Sequence, residues 1–315
     1  MSNATTAAQS PSKVQVFLRR LTSTVILWTV VLASLFSGIR WLSDFVFLAA
    51  MVVLAAAGLY EFYGMVLRRG LACFKWLGLA GGVLLMVGTF LHCTGRLGIH
   101  GSPSRANDFE AGFLILFVLG LCLRHLFDRN AKEGLLTIAI TLLGLMYVPY
   151  LLNFIQKINY FPVLTPGDGA FYVVCFIVVT KFSDMGAYIT GSLIGRHKMI
   201  PRISPAKTWE GFGGAIAFST GASLVFAHFA RGHLLGMTWY HAAVLGVMLS
   251  LGAVVGDLIE SLFKRETGVK DSGTLFPGIG GILDLLDSLL FNAPLMYLYL
   301  RHVLTRPGTF IEVPF

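Results

Sequence analysis

Charge is what this sequence has least of. Asp, Glu, Lys and Arg make up 13% of its 315 residues, about half the ~25% of an ordinary soluble domain. With 56% hydrophobic residues and a mean hydropathy of +0.75, the chain has too little polar surface to cover a water-soluble globule. Cysteine is scarce too: Cys73, Cys93, Cys122 and Cys175 lie in or beside apolar runs, with no Cys-x-x-Cys among them. Small buried hydrophobes fit that placement better than disulfides or a thiolate metal site. The histidines lack metal-ligand spacing, and no Ser-His-Asp set points to a protein nucleophile. His197 sits in a charged loop, where a solvated side chain is the plainer reading. The net charge of +8 is of a size seen in nucleic-acid binders. Here the basic residues recur in short clusters between apolar runs, as membrane-protein loop charges do, so no nucleic-acid partner is expected. A signal peptide is disfavoured for want of a convincing small-residue cleavage site. No internal repeat is visible.

What the chain does have is long apolar runs, most near the ~20 residues that cross a bilayer as a helix. They predict an all-α, polytopic integral membrane protein with about nine spans: 21–39, 45–67, 76–93, 111–123, 135–154, 170–194, 212–229, 241–263 and 282–303. The fourth is short, and is expected either to tilt little or to extend past Phe127. Residues 1–20 read as a disordered, then basic, leading segment. Residues 21–169 read as an N-terminal set of spans, 170–303 as a C-terminal catalytic region and 304–315 as a tail. With a cytoplasmic N-terminus, 16 of the 24 lysines and arginines fall on the cytoplasmic side and seven opposite, with Lys181 inside a span. The positive-inside rule therefore favours N-in and C-out, and puts the polar loops 195–211 and 264–281 in the cytoplasm.

The densest charge lies between Gly256 and Pro294. There Asp257, Glu260, Glu266, Asp271, Asp284 and Asp287 surround Lys264, Arg265 and Lys270. Ionisable groups at a membrane boundary are costly and point to function by default. Asp284 and Asp287, three apart, project from one helical face and suit a hard divalent cation such as Mg2+. The alternative is capping of the helix N-terminus. Two acids ahead of a long apolar run favour metal or phosphate chemistry. Asp257, Glu260 and Lys264 share another face, as an ion-pair ladder would. Lys264, Arg265 and Lys270 suit phosphate oxygens, Arg as a bidentate fork and Lys as a point charge, or else anchor a helix end. The Pro277-Gly278-Ile279-Gly280-Gly281 turn lets backbone N–H groups approach an anion, a weak signal alone. In the other loop, Ser204 and Thr208 read as helix-start residues, and capping leaves Lys207 unexplained. Asp184 pairs with Lys181 in the simplest reading, and Gly191-x3-Gly195 signals close helix packing.

Together these residues resemble the phosphatidate cytidylyltransferase (CDP-diacylglycerol synthase) family over about residues 180–294. Its signature reads approximately S-x2-K-R-x4-K-D-x-G-x3-P-G-H-G-G-x2-D-R-x-D. Ser261, Lys264, Arg265, Lys270, Asp271, Gly273, Pro277, Gly278, Gly280, Gly281, Asp284 and Asp287 match it in register. The stretch Ser204–Gly211 resembles the family's S-P-x-K-T-x-E-G, and Asp184-x2-Ala187-Tyr188-x2-Gly191-x3-Gly195 resembles the segment before it. Two positions depart. Ile279 and Leu285 stand where the family has His and Arg, and neither side chain carries charge or donates a hydrogen bond.

The resemblance implies a nucleotidyltransferase that turns CTP and phosphatidic acid into CDP-diacylglycerol and pyrophosphate with Mg2+. It also implies a multi-pass inner-membrane protein, a cytoplasm-facing active site, lipid tails entering between helices, and a homodimer as one assembly. It implies Asp257, Asp284 and Asp287 as catalytic metal ligands with Lys264 as a further catalytic residue. Ser204, Lys207, Thr208, Arg265, Lys270, Asp271, Gly280 and Gly281 are then substrate-binding. Three alternatives stay open: a CTP-dependent polyprenol kinase, a membrane transporter, and a relative impaired through Ile279 and Leu285. A transporter would spread its charges across the spans, whereas these concentrate in two loops.

Overall fold

The computed structural model describes residues 29, 32–33, 35–36, 39–96, 103–127, 134–161, 168–269, 272–273 and 281–305. Within them the apolar runs form helices: α1 (Arg40–Arg68), α2 (Lys75–Cys93), α3 (Pro103–Leu126), α4 (Gly134–Leu145), α5 (Leu151–Asn159), α6 (Asp168–Ile194), α7 (Trp209–Phe229), α8 (Trp239–Thr267) and α9 (Ile282–Tyr299). A π-turn, Met146–Tyr150, joins α4 to α5 into one continuous span, and a second, Leu300–Leu304, ends α9. Eight helical spans are thus long and apolar enough to cross a membrane, matching the second to ninth expected from sequence. The first, 21–39, lies mostly outside the described residues.

The structure departs from expectation in several places. α3 grows backwards to Pro103 and ends at Leu126, rather than running on past Phe127. Proline is tolerated in a first turn, and the polar start of α3 is stabilised by burial of Glu110 against Lys157. The fifth span continues to Asn159, because the π-turn absorbs Pro149, which has no N–H for the helical ladder. The loop before α7 contains a small antiparallel hairpin, β1 (Lys198–Ile200) with β2 (Ser204–Thr208), the one departure from all-helix among the described residues.

α9 is the centre of the bundle. It packs against α8, α6, α5 and α1, and 67% of its most apolar stretch is buried, against 17% for the peripheral α3. α6, α7 and α8 pack as successive neighbours. In a membrane, helices gain little from hiding apolar surface from lipid, so small residues and hydrogen bonds set their contacts. Asn292 of α9 donates to Thr180 Oγ1 of α6 and to the Leu249 carbonyl of α8, each at 2.8 Å. A Cβ on Gly214 of α7 would lie 2.0 Å from Thr190 Oγ1 of α6, so only glycine permits that approach. In the N-terminal half, Tyr63 fills the space left by Gly78 and Gly144, and its hydroxyl donates to the Thr141 carbonyl at 2.6 Å. Near the opposite end of the bundle, the buried Lys157–Glu110 ion pair is joined by Asn153 and Thr89. Removing one partner of such a pair costs about 3–5 kcal/mol.

Candidate active site: an acidic pocket ringed by lysines

The close approach of α8 and α9 builds the site. Gly252 and Gly256, one turn apart, leave room for α9: a Cβ on Gly256 would sit 2.5 Å from the Asp287 carbonyl oxygen, and one on Gly252 would sit 2.2 Å from Asn292 Oδ1. That contact brings Asp257, the residue after Gly256, up against Asp287. Glu260, one turn further along α8, completes a triplet whose carboxylate oxygens lie within 4.8 Å of one another.

Lysines reach the same place from three elements. Lys207 of β2 lies 2.7 Å from Asp257 Oδ2 and donates to the Val254 carbonyl at 3.1 Å. Lys264 of α8 lies 2.5 Å from Glu260 Oε2 and 2.8 Å from Asp284 Oδ1. Lys181 of α6 donates to the Leu285 carbonyl at 3.1 Å, Ser288 Oγ at 3.2 Å and Asp184 Oδ2 at 3.3 Å. Ser288 also donates to Asp184 Oδ2 at 3.1 Å. Lys181, Asp184, Ser204, Lys207, Thr208, Asp257, Asp284 and Asp287 line one open cavity of about 390 Å3. That is within the roughly 300–1,000 Å3 of small-molecule sites.

A divalent metal fits this donor set. Asp184, Asp257, Glu260, Asp284 and Asp287 outnumber Lys181, Lys207 and Lys264, which leaves an excess of negative charge even before an anionic substrate arrives. Glu260 contacts Lys264 as an ion pair yet makes no directional hydrogen bond, and its Oε1 is buried without a partner. All-oxygen carboxylate donors are the chemistry of Mg2+ rather than of softer metals.

The structure distributes the sequence-derived residues unevenly. Asp257 and Asp287 meet in the triplet, with Glu260 in the place expected for Asp284. Asp284 lines the same cavity but is otherwise engaged: its Oδ1 takes Lys264, and its Oδ2 accepts the Gly281 N–H at 2.9 Å. Capping and site-lining are both true of Asp284, since it is the third residue of α9. Ser204 lies on the cavity wall within β2, and Thr208 is the N-cap of α7, accepting from Gly211 N–H at 3.1 Å. Arg265 is exposed and donates to the Ile203 carbonyl at 3.3 Å, bracing the hairpin. Gly281 is the N-cap residue of α9. Lys270, Asp271 and Gly280, with Ile279, lie outside the described residues. His197 is exposed, with Nδ1 2.6 Å from Glu210 Oε1. All four cysteines are free, and burial pushes the Cys73 thiol up, away from a reactive thiolate.

Sequence reasoning passed over three contributors. The sequence offers Lys181 as a partner for Asp184 alone, although a cation inside a span is a signal of more. Glu260 was read as part of an ion-pair ladder, which it is, without its metal-ligand geometry. Gly252-x3-Gly256 was legible as a small-residue contact motif and went unread.

Fold and site together define a polytopic helical membrane protein with a polar pocket suited to a hard cation and phosphate-bearing ligands. The chain belongs to the cytidylyltransferase family, whose family model matches residues 21–303. It is similar to a protein of Mycobacterium leprae named phosphatidate cytidylyltransferase, 42% identical over 147 residues, covering 47% of this chain and 44% of that protein. A protein of Staphylococcus saprophyticus with the same name is 34% identical over 200 residues, covering 64% of this chain and 73% of that protein. One of Staphylococcus epidermidis, also so named, is 43% identical over 136 residues, covering 43% of this chain and 51% of that protein. The matched region is thus less than half the length of the mycobacterial relative.

Proposed function

We propose that the protein transfers the cytidylyl group of CTP to phosphatidic acid, giving CDP-diacylglycerol and pyrophosphate. The lipid phosphate oxygen attacks the α-phosphorus of CTP. The new P–O bond forms as the α–β phosphoanhydride bond breaks, and pyrophosphate leaves with the electron pair. Both reactants are anions, so the protein's task is to neutralise and align them. The observation that carries this reading is the meeting of Asp257, Glu260 and Asp287 beside Lys207 and Lys264 in a member of this family.

Asp257 and Asp287 would hold Mg2+, with Glu260 completing the set, and Asp284 supports the site through Lys264. When bound there, Mg2+ would supply Lewis-acid neutralisation of phosphate charge. Lys207 and Lys264 exchange carboxylate partners for substrate phosphates. Lys181 puts a cation on the Leu285 carbonyl, where the Leu285 side chain supplies none. Ser204 and Thr208 shape the wall, Arg265 steadies the hairpin, and Lys270, Asp271, Gly280 and Gly281 serve the phosphates from the glycine loop. The Lys/Arg bias supports a cytoplasm-facing pocket in a cell membrane. The test is purified protein with CTP, phosphatidic acid and Mg2+. CDP-diacylglycerol in equal amount to pyrophosphate is the expected result, and neither product in a folded sample rejects the reading.

A further inference from the structure

The N-terminus of α9 lacks the side chain that would ordinarily cap it. Its N-cap is Gly281, so the N–H groups of the first turn have no side-chain acceptor from that residue. Asp284 returns to the Gly281 N–H. The Leu283 N–H is met from elsewhere: Glu61 of α1 accepts it through Oε2 at 3.0 Å, across 222 positions of sequence. The same oxygen accepts from Ser272 Oγ at 3.3 Å. Glu61 is 5% exposed, and its Oε1 has no hydrogen-bond partner. Two glycines lie close against its carboxylate. A Cβ on Gly273 would lie 2.1 Å from Glu61 Oε1, and one on Gly281 would lie 2.6 Å from Oε2.

A carboxylate taken this far out of water is costly, and a neutral acceptor would bond Leu283 almost as well. The negative charge is favourable at this position because it faces the positive end of α9's dipole. We propose that Glu61 is a positioning residue for the site. By capping α9 from another helix and gripping Ser272 and Gly273, it fixes the turn that presents Asp284 and, one turn later, Asp287. It touches no substrate. It also gives the N-terminal half of the bundle a direct hold on a site otherwise built from the C-terminal half. The catalytic part of this inference rests on the proposed reaction, whereas the capping part does not.

The experiment compares Glu61→Leu, Glu61→Gln and wild type as full-length protein in nanodiscs. Readouts are amide exchange of the 281–287 segment, turnover, and the Mg2+ midpoint of activity. Glu61→Leu removes the acceptor. Exchange at Leu283 should rise and kcat should fall about tenfold or more, with a higher Mg2+ midpoint. Glu61→Gln keeps one acceptor and should restore most of the protection and turnover. Gly273→Ala should behave like Glu61→Leu, and adding Glu61→Leu to it should lower turnover little further, because both changes break the same contact. Wild-type kcat and Mg2+ midpoint in folded Glu61→Leu overturn the proposal, as does unchanged exchange at Leu283. If wild type itself makes no CDP-diacylglycerol, the reaction reading fails, while exchange still decides whether Glu61 holds α9.

Discussion

Asp284 and Asp287 look equivalent in sequence, three apart on one helical face, and the structure gives them different partners. Asp287 is buried in the carboxylate triplet, and its Oδ1 accepts the Ser288 N–H at 2.5 Å. Asp284 spends one oxygen on the Gly281 N–H and the other on Lys264. Asn keeps an acceptor for capping but removes the charge that attracts Mg2+. Asp287→Asn is therefore expected to lose roughly 10- to 150-fold in turnover, with partial recovery at high Mg2+. Asp284→Asn should lose less and show a nearly normal Mg2+ midpoint. A Mg2+ titration of both purified variants checks this, and equal midpoints would dissolve the distinction. At this scale the sequence was a good guide to several residues that line the pocket, because acids and lysines at a membrane boundary are conspicuous. It was a poor guide to which partner each would take. Lys264 lies between Glu260 and Asp284 because α8 and α9 cross there, and nothing local to Lys264 encodes that crossing.

The elements carry that missing information in their small residues. Gly268, at φ +72°, ends α8 in the left-handed conformation, and the Gly268 and Val269 N–H groups close on the Arg265 and Lys264 carbonyls. Gly252 and Gly256 set how near α9 comes. Gly256→Val places atoms where the Asp287 backbone now sits, an overpacking that costs about 1–3 kcal/mol. The expected outcome is a lower melting temperature and a larger loss of turnover than Gly221→Val, where a Cβ on Gly221 meets open space. Equal turnover in the two variants would show that the α8–α9 spacing does not govern the site. Spans were legible from hydropathy because a bilayer demands apolar length. The hairpin before α7 was not, since strands of three and five residues carry too little periodic pattern to register. The backward extension of α3 was hidden because its polar residues Asn107 and Glu110 are met by Lys157, at the far end of the next span.

At the scale of the whole molecule, the N-terminal spans are more than an anchor. α1 and α5 pack directly on α9, and Glu61 reaches its first turn. The Lys/Arg distribution predicts that Lys207 and its loop face the cytoplasm. In a background lacking Cys73, Cys93, Cys122 and Cys175, Arg202→Cys lies on an exposed turn beside the pocket and Arg231→Cys on the exposed α7–α8 turn at the other end. An impermeant thiol reagent applied to intact cells should label position 231 and spare 202. The reverse pattern would invert the orientation and put the pocket out of reach of cytoplasmic CTP.

The central claim is that the pocket directs attack at the α-phosphorus of CTP and releases pyrophosphate. CTP labelled at the α- or the γ-phosphate, incubated with purified protein, phosphatidic acid and Mg2+, tests it directly. The account predicts that α-label enters the lipid product and γ-label leaves as pyrophosphate. Transfer of γ-label into lipid would contradict it and make the protein a lipid kinase.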